Sequence, residues 1–203
     1  MSQARHLVVF VKAPRLGAVK TRLAADIGAL AAWRFYRAMT ARLLRRLGRD
    51  RRWRLWLAVT PDRFAHGPAF WPPTLPRLAQ GGGDLGRRMA RVLNALPPGP
   101  AIIVGSDVPG IGVDHVARAF AALSAHDLVF GPAADGGYWL VGARRRPLPR
   151  GMFANVRWSS AHALADTLAG LDRRRSVALI DRLADVDRGA DLAIARSGAA
   201  GAR

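Results

Sequence analysis

LVVFVKAPRLGAVKTRL, residues 7–23, carries the α/β signature of this chain. Five apolar residues, Leu7 to Val11, stop at Lys12. A loop with Pro14 and Gly17 follows, and Val19 to Ile27 then takes up a helical pattern. A short, fully apolar run reads as a strand buried on both faces. Strand, loop and helix in that order form the repeating unit of an α/β sheet. The same stretch holds Lys12 and Lys20, the two lysines of a chain with 32 basic residues, the rest being arginine. Lysine offers a mobile point charge where arginine offers a flat fork, which suits a loop that handles phosphate.

Working outward, strands are predicted at His6–Val11, Trp53–Thr60, Leu75–Gln80, Ala101–Gly105, Leu128–Phe130, Tyr138–Val141 and Val177–Ile180. Helices are predicted over Val19–Ile27, Leu30–Leu47, Leu85–Leu96, Asp114–Leu123 and Ala161–Leu171, with a last turn or two at Asp191–Arg196. Asp84 and Asp114 read as N-caps, and Ser159 or Ser160 as the cap of the fifth helix. Apolar strands alternating with helices give a mainly parallel sheet covered on both faces. Residues 143–157 read as an excursion from that sheet. Residues 1–196 read as one domain and 197–203 (SGAAGAR) as a disordered tail.

With no cysteine, disulfides and thiolate metal sites are excluded. The first apolar run is too short for a signal peptide or a membrane span, so a soluble, cytoplasmic protein is expected. The formal charge is +18, which raises nucleic acid as a partner. The arginines are scattered, however, and no nucleic-acid motif accompanies them. All 14 acids are Asp, a residue that favours caps and loops over helix interiors. Acids are therefore expected at element ends, where ligands of an open α/β sheet bind.

Five segments carry candidate chemistry. In KAPRLGAVKTRL, Gly17 permits a tight turn, and the next helix aims its amides at the loop. Lys12, Lys20 and Arg22 add positive charge. No P-loop is present, because Val19 stands where that motif needs glycine. In QGGGDLGRRM (residues 80–89), Gly83 and Gly86 let backbone approach a flat ligand. Gln80 can read a base edge, and Arg88 can reach phosphate. In IIVGSDVPG, a buried strand delivers Asp107 at its carboxyl end, a hard-cation ligand. In GPAADGGYWLVG, Asp135, Gly136 and Gly137 read equally as a hairpin turn or as acceptor contacts. In LADVDRGADL, Asp185 or Asp187 can supply a second carboxylate, and Asp191 reads as a cap. The five histidines show no metal spacing.

Together these motifs, with the F-x-N-V-x-W-S stretch at 153–159, resemble the bacterial GT-A-type glycosyltransferase family of uncharacterised substrate. That family lies in the nucleotide-diphospho-sugar transferase superfamily and is related to 2-phospho-lactate guanylyltransferases and molybdenum-cofactor nucleotidyltransferases. The resemblance runs from about residue 7 to 192. It implies a Rossmann-like GT-A three-layer sandwich with a mixed, mainly parallel sheet. It implies a nucleotide held by the first loop and by Gln80–Gly86, and Mg²⁺ or Mn²⁺ on Asp107 and Asp187, with Asp185 in reserve. Arg188-Gly189 replaces the usual Thr-Pro, so a looser turn at Asp187 is expected. The expected function is nucleotidyl transfer from an NTP to a phosphorylated acceptor, with Lys20, Arg22 and Asp107 in the chemistry. The alternatives are glycosyl transfer from an NDP-sugar and a non-enzymatic polyanion-binding module.

Overall fold

The structure is a computed structural model that describes residues 3–66, 70–145, 148–149 and 151–192. The predicted tail, and most of the last predicted helical turn, lie outside those residues. Seven strands form one sheet: β1 (His6–Lys12), β2 (Arg54–Thr60), β3 (Arg77–Ala79), β4 (Ala101–Gly105), β5 (Leu128–Pro132), β6 (Tyr138–Ala143) and β7 (Val177–Leu179). Their order is β3-β2-β1-β4-β6-β5-β7. Only β6 runs against its neighbours, and all other pairings are parallel.

The alternation of side chains along a strand explains the three layers. Leu7, Val9 and Val11 of β1 join Ile102 and Val104 of β4 in one apolar layer. Helices α2 (Ala29–Gly48) and α4 (Val113–Ala125) cover it with Leu43, Leu47, Val116 and Phe120. Val8 and Ile103 point the other way and meet Met89, Val92 and Leu93 of α3 (Leu85–Ala95). Helix α5 (Ala163–Ala169) packs on that second face through Leu164 and Leu168. Each fully buried Val or Leu contributes about 1.5–3 kcal/mol.

Helix starts differ from the sequence reading in three places. Helix α1 spans Thr21–Ile27 rather than starting at Val19, because Lys20 is its N-cap and sits in the left-handed region at φ 48°. Gly112, not Asp114, caps α4, and its N–H donates to Nδ1 of His115. His162 caps α5, while the Ser160 hydroxyl oxygen accepts the His162 N–H one step earlier. Asp84 caps α3 as expected, accepting the Arg87 N–H at 2.8 Å.

His6 is 1% exposed. The Trp56 indole donates to its Nδ1 at 3.2 Å, so Nε2 carries the hydrogen and faces the Pro98 carbonyl at 3.4 Å. Burial lowers its pKa, and the charges of Arg145 and Arg54 add to that effect against the Pro98 bond. The unfolded chain therefore takes up a proton before the folded one does. Stability contributed by neutral His6 is present above the ordinary value of 6.5 and falls as pH drops below it. Thermal melts from pH 7.5 to 5.5 should show this slope, and His6→Asn should flatten it.

Candidate active site

Parallel pairing places Phe10 beside Gly105, so the carboxyl ends of β1 and β4 open at the same edge. Beyond them lie Lys12 and Asp107. A cleft of about 560 Å³ opens there, within the usual size of a ligand site. Its wall includes Phe10, Leu85, Met89, Tyr138 and Trp158 on one side of the chemistry, and Lys12, Lys20, Arg22, Asp107, Asp185 and Asp187 around it.

A strap, residues 181–187, crosses the carboxyl end of β4. The Trp139 indole donates to the Asp181 carbonyl at 2.9 Å. Leu183 forms a parallel bridge with Ala133, and the Val186 N–H donates to the Asp107 carbonyl at 3.1 Å. These bonds carry Asp185 and Asp187 over the end of β4. One carboxylate oxygen from each of Asp107, Asp185 and Asp187 then lies within 4.8 Å of the others. Asp185, a reserve in the sequence reading, stands in the cluster on equal terms. The turn beyond is not loose. Asp191 accepts the Asp187 and Arg188 N–H groups at 2.9 and 2.7 Å, and Asp26 of α1 accepts the Gly189 N–H at 2.8 Å. A proline at 189 could not donate that last bond.

Lys20 enters the cluster from the α1 cap. Its ammonium, on a side chain only 7% exposed, donates to Asp187 at 2.8 Å and lies 3.5 Å from Asp107. Arg22 reaches the other Asp187 oxygen at 3.3 Å. Burial works to lower the Lys20 pKa, but Asp107, Asp187 and Asp185 outweigh it and hold it above the ordinary value. Asp187 is pushed up by burial but pulled further down by Lys20 and Arg22. Asp185 has no such partner among the described residues. Burial, then the negative charges of Asp107 and Asp187, hold it above the ordinary carboxylate range. Two cations thus face three acids, and the cluster keeps an excess of negative charge.

The glycine-rich segment behaves differently from its sequence reading. Gln80 lines the cleft but is buried, and its amide donates to the Val11 and Ala58 carbonyls. Arg88 braces the loop by donating to the Gly83 carbonyl at 2.9 Å, and Arg91 holds the carbonyls of Gln80 and Gly82. Gly83 and Gly86 do not line the cleft. At Gly86 a Cβ would stand 2.5 Å from Phe153 Cβ and 2.7 Å from the Trp158 ring. The glycine lets α3 press on the segment that carries Trp158. Gly86→Ala should cost about 1–3 kcal/mol of stability, the usual range for overpacking, and a chemical melt will read it.

Asp135 accepts the Gly137 N–H at 2.9 Å, and Gly136 sits at φ 87° beneath the Ala161 carbonyl. This is the β5–β6 hairpin turn, and Asp135 and Gly137 still border the cleft while Gly136 does not. Gly17, at φ 75°, makes the first loop's turn and also lies outside the lining. Tyr36 was not singled out by the sequence. From α2 its hydroxyl accepts the Lys12 N–H and donates to the Lys12 carbonyl, both at 2.9 Å. Both of the chain's tyrosines, Tyr36 and Tyr138, line the cleft. That pairing was the one available signal.

This mixed sheet, with acids and cations gathered beyond its carboxyl ends, matches the fold of the nucleotide-diphospho-sugar transferases, a class of transferases. The chain belongs to the DUF2064 family, described as uncharacterized protein conserved in bacteria, whose model matches residues 43–160. It is 30% identical, with a TM-score of 0.81, to a Desulfovibrio desulfuricans G20 protein assigned provisionally as a nucleotide-diphospho-sugar transferase, over 93% of this chain and 84% of that one. The fold is shared with a 4-diphosphocytidyl-2C-methyl-D-erythritol synthase from Anaerococcus prevotii DSM 20548 at 10% identity and a TM-score of 0.62, over 98% and 99% of the chains. It is also shared with Rv0371c of Mycobacterium tuberculosis H37Rv, solved with manganese, at 16% identity and a TM-score of 0.55, over 96% and 98%. No curated protein matches the sequence. No helix among the described residues is long and apolar enough to cross a membrane.

Proposed function

We propose that the chain transfers a nucleotidyl group from an NTP to a small phosphorylated acceptor, with a divalent ion held by Asp107, Asp185 and Asp187. The observation that carries this reading is the convergence of those three carboxylates within 4.8 Å beside Lys20. An all-oxygen carboxylate set fits a hard cation such as Mg²⁺ or Mn²⁺. Such an ion, when bound, supplies charge neutralisation on phosphate oxygens. Lys20 and Arg22 add positive charge on the same side, and Lys12 stands at the cleft rim. The apolar wall of Leu85, Met89 and Trp158 offers flat surface for a base or acceptor. An acceptor phosphate oxygen would bond to the α-phosphorus, and the bond from that phosphorus to the bridging oxygen would break, releasing pyrophosphate. The residues mainly position reactants and offset charge.

The basic first loop and the single Asp107 at the end of β4 favour nucleotidyl over glycosyl transfer. The description of the D. desulfuricans relative favours a nucleotide sugar as donor. Pyrophosphate release from the four NTPs with a panel of sugar and polyol phosphates, in Mn²⁺, tests the first reading. Release of NDP from NDP-sugars, with no pyrophosphate from any NTP, would replace it with the second. Salt-sensitive RNA binding that survives Asp107→Ala, with no turnover of either donor, would favour a polyanion-binding protein.

A further inference from the structure

A second concavity of about 770 Å³ lies between one face of α2 and the segment from Phe70 to Leu75. Arg34, Arg37, Arg45 and Arg49 line it, and no acidic residue among the described ones does. None of these arginines is in an ion pair with a described residue. The helical period explains their alignment. Ala38, Ala41 and Gly48 fall among them on the same face, so the wall stays low and the concavity open.

Aromatic surface completes it. Trp33 lies under the Arg37 guanidinium at 4.7 Å, and Phe70 is half exposed against Trp71. Trp71 is buried, lines the concavity, and its Nε1–H has no acceptor among the described residues. A buried donor without a partner costs about 1–3 kcal/mol. By contrast, Trp33 donates to the Pro14 carbonyl at 2.6 Å.

From this we infer that the α2 groove is a second binding site, for a nucleoside phosphate. Arginine forks match phosphate oxygens. The half-exposed Phe70 ring matches a base. The size fits one mononucleotide. Tyr36 lines both this groove and the first cleft, and its hydroxyl holds the Lys12 peptide. An occupant therefore adjoins the residue that anchors the phosphate-facing loop. The inference does not depend on the reaction assigned to the first cleft.

The test is calorimetric titration of the full chain with AMP, GMP, CMP and UMP in EDTA. Inorganic phosphate and the free nucleosides are titrated alongside. Binding of at least one nucleotide is expected, weakened at least tenfold in Arg37→Ala/Arg45→Ala and kept in Lys20→Met/Arg22→Ala. Both arginines in the first pair are exposed, and circular dichroism checks their fold. In ¹⁵N spectra the Trp71 indole resonance, assigned with Trp71→Phe, should move with the ligand. The inference is overturned if no nucleotide binds below about 1 mM, which corresponds to about −4.1 kcal/mol. It is also overturned if inorganic phosphate binds as well, or if binding follows Lys20 and Arg22 instead.

Discussion

Asp107→Ala is expected to abolish turnover, by about 10²–10³-fold or more, in a protein that still folds. Removing one preorganised electrostatic contact commonly costs that much in rate. Here the lost carboxylate is one of three in the cluster. The fold should survive because the Asp107 side chain is 43% exposed, beyond the last residue of β4. Its backbone carbonyl, which holds Val186, is kept by alanine. Removing one of three like charges also relieves Asp185, whose pKa should fall back toward the ordinary range. The melting temperature should stay within a few degrees of the parent. Manganese titration should show at least tenfold weaker binding. Full activity in this variant would overturn the proposed site.

Lys20→Met is expected to separate two properties that Asp107→Ala loses together. Without nucleotide, Mn²⁺ should bind more tightly, because the resident ammonium no longer competes for Asp187 and Asp107. With nucleotide, kcat/KM should fall about 10²-fold, since a buried cation near the phosphates is gone. Stability at neutral pH should drop by about 1–2 kcal/mol, below the cost of breaking a fully buried pair because the acids are partly solvated. Excess Mn²⁺ should restore it. Asp187 has a depressed folded pKa, so its contribution is present above the ordinary 3.8 and lost as pH falls through the folded value. In Lys20→Met the Lys20 share of that contribution is already missing while the Arg22 share remains, so the melting temperature should fall less between pH 5 and pH 2. Looser Mn²⁺ binding together with unchanged kcat/KM would assign Lys20 a purely architectural role.

The sheet was legible because β1 and β4 are apolar without interruption, a pattern that two-sided burial requires. The reversal of β6 was less so, since GPAADGGYW reads as a hairpin only if Asp135 bonds Gly137. Asp107 was legible from its place after a buried strand. Asp185 was harder, because nothing in LADVDRGADL tells which of alternate residues faces a partner 78 positions away. The strap decides that, through Trp139 and the Asp107 carbonyl. Gly86 and Gln80 have a packing use that the sequence did not show. Glycine and glutamine serve close packing and backbone satisfaction as well as they serve ligands, and sequence alone does not separate these uses. Asp26 carried no signal at all, since its role depends on where Gly189 arrives.

Because Asp185 and Asp187 reach the cluster only when residues 181–187 dock, the three carboxylates meet only after every strand of the sheet has been synthesised. A nascent chain can assemble β1 to β6, α1 to α4 and a cationic first loop while lacking two of its three oxygen donors. A stop codon at 181 would leave Asp107 without its two companion carboxylates and the Trp139 indole without its acceptor.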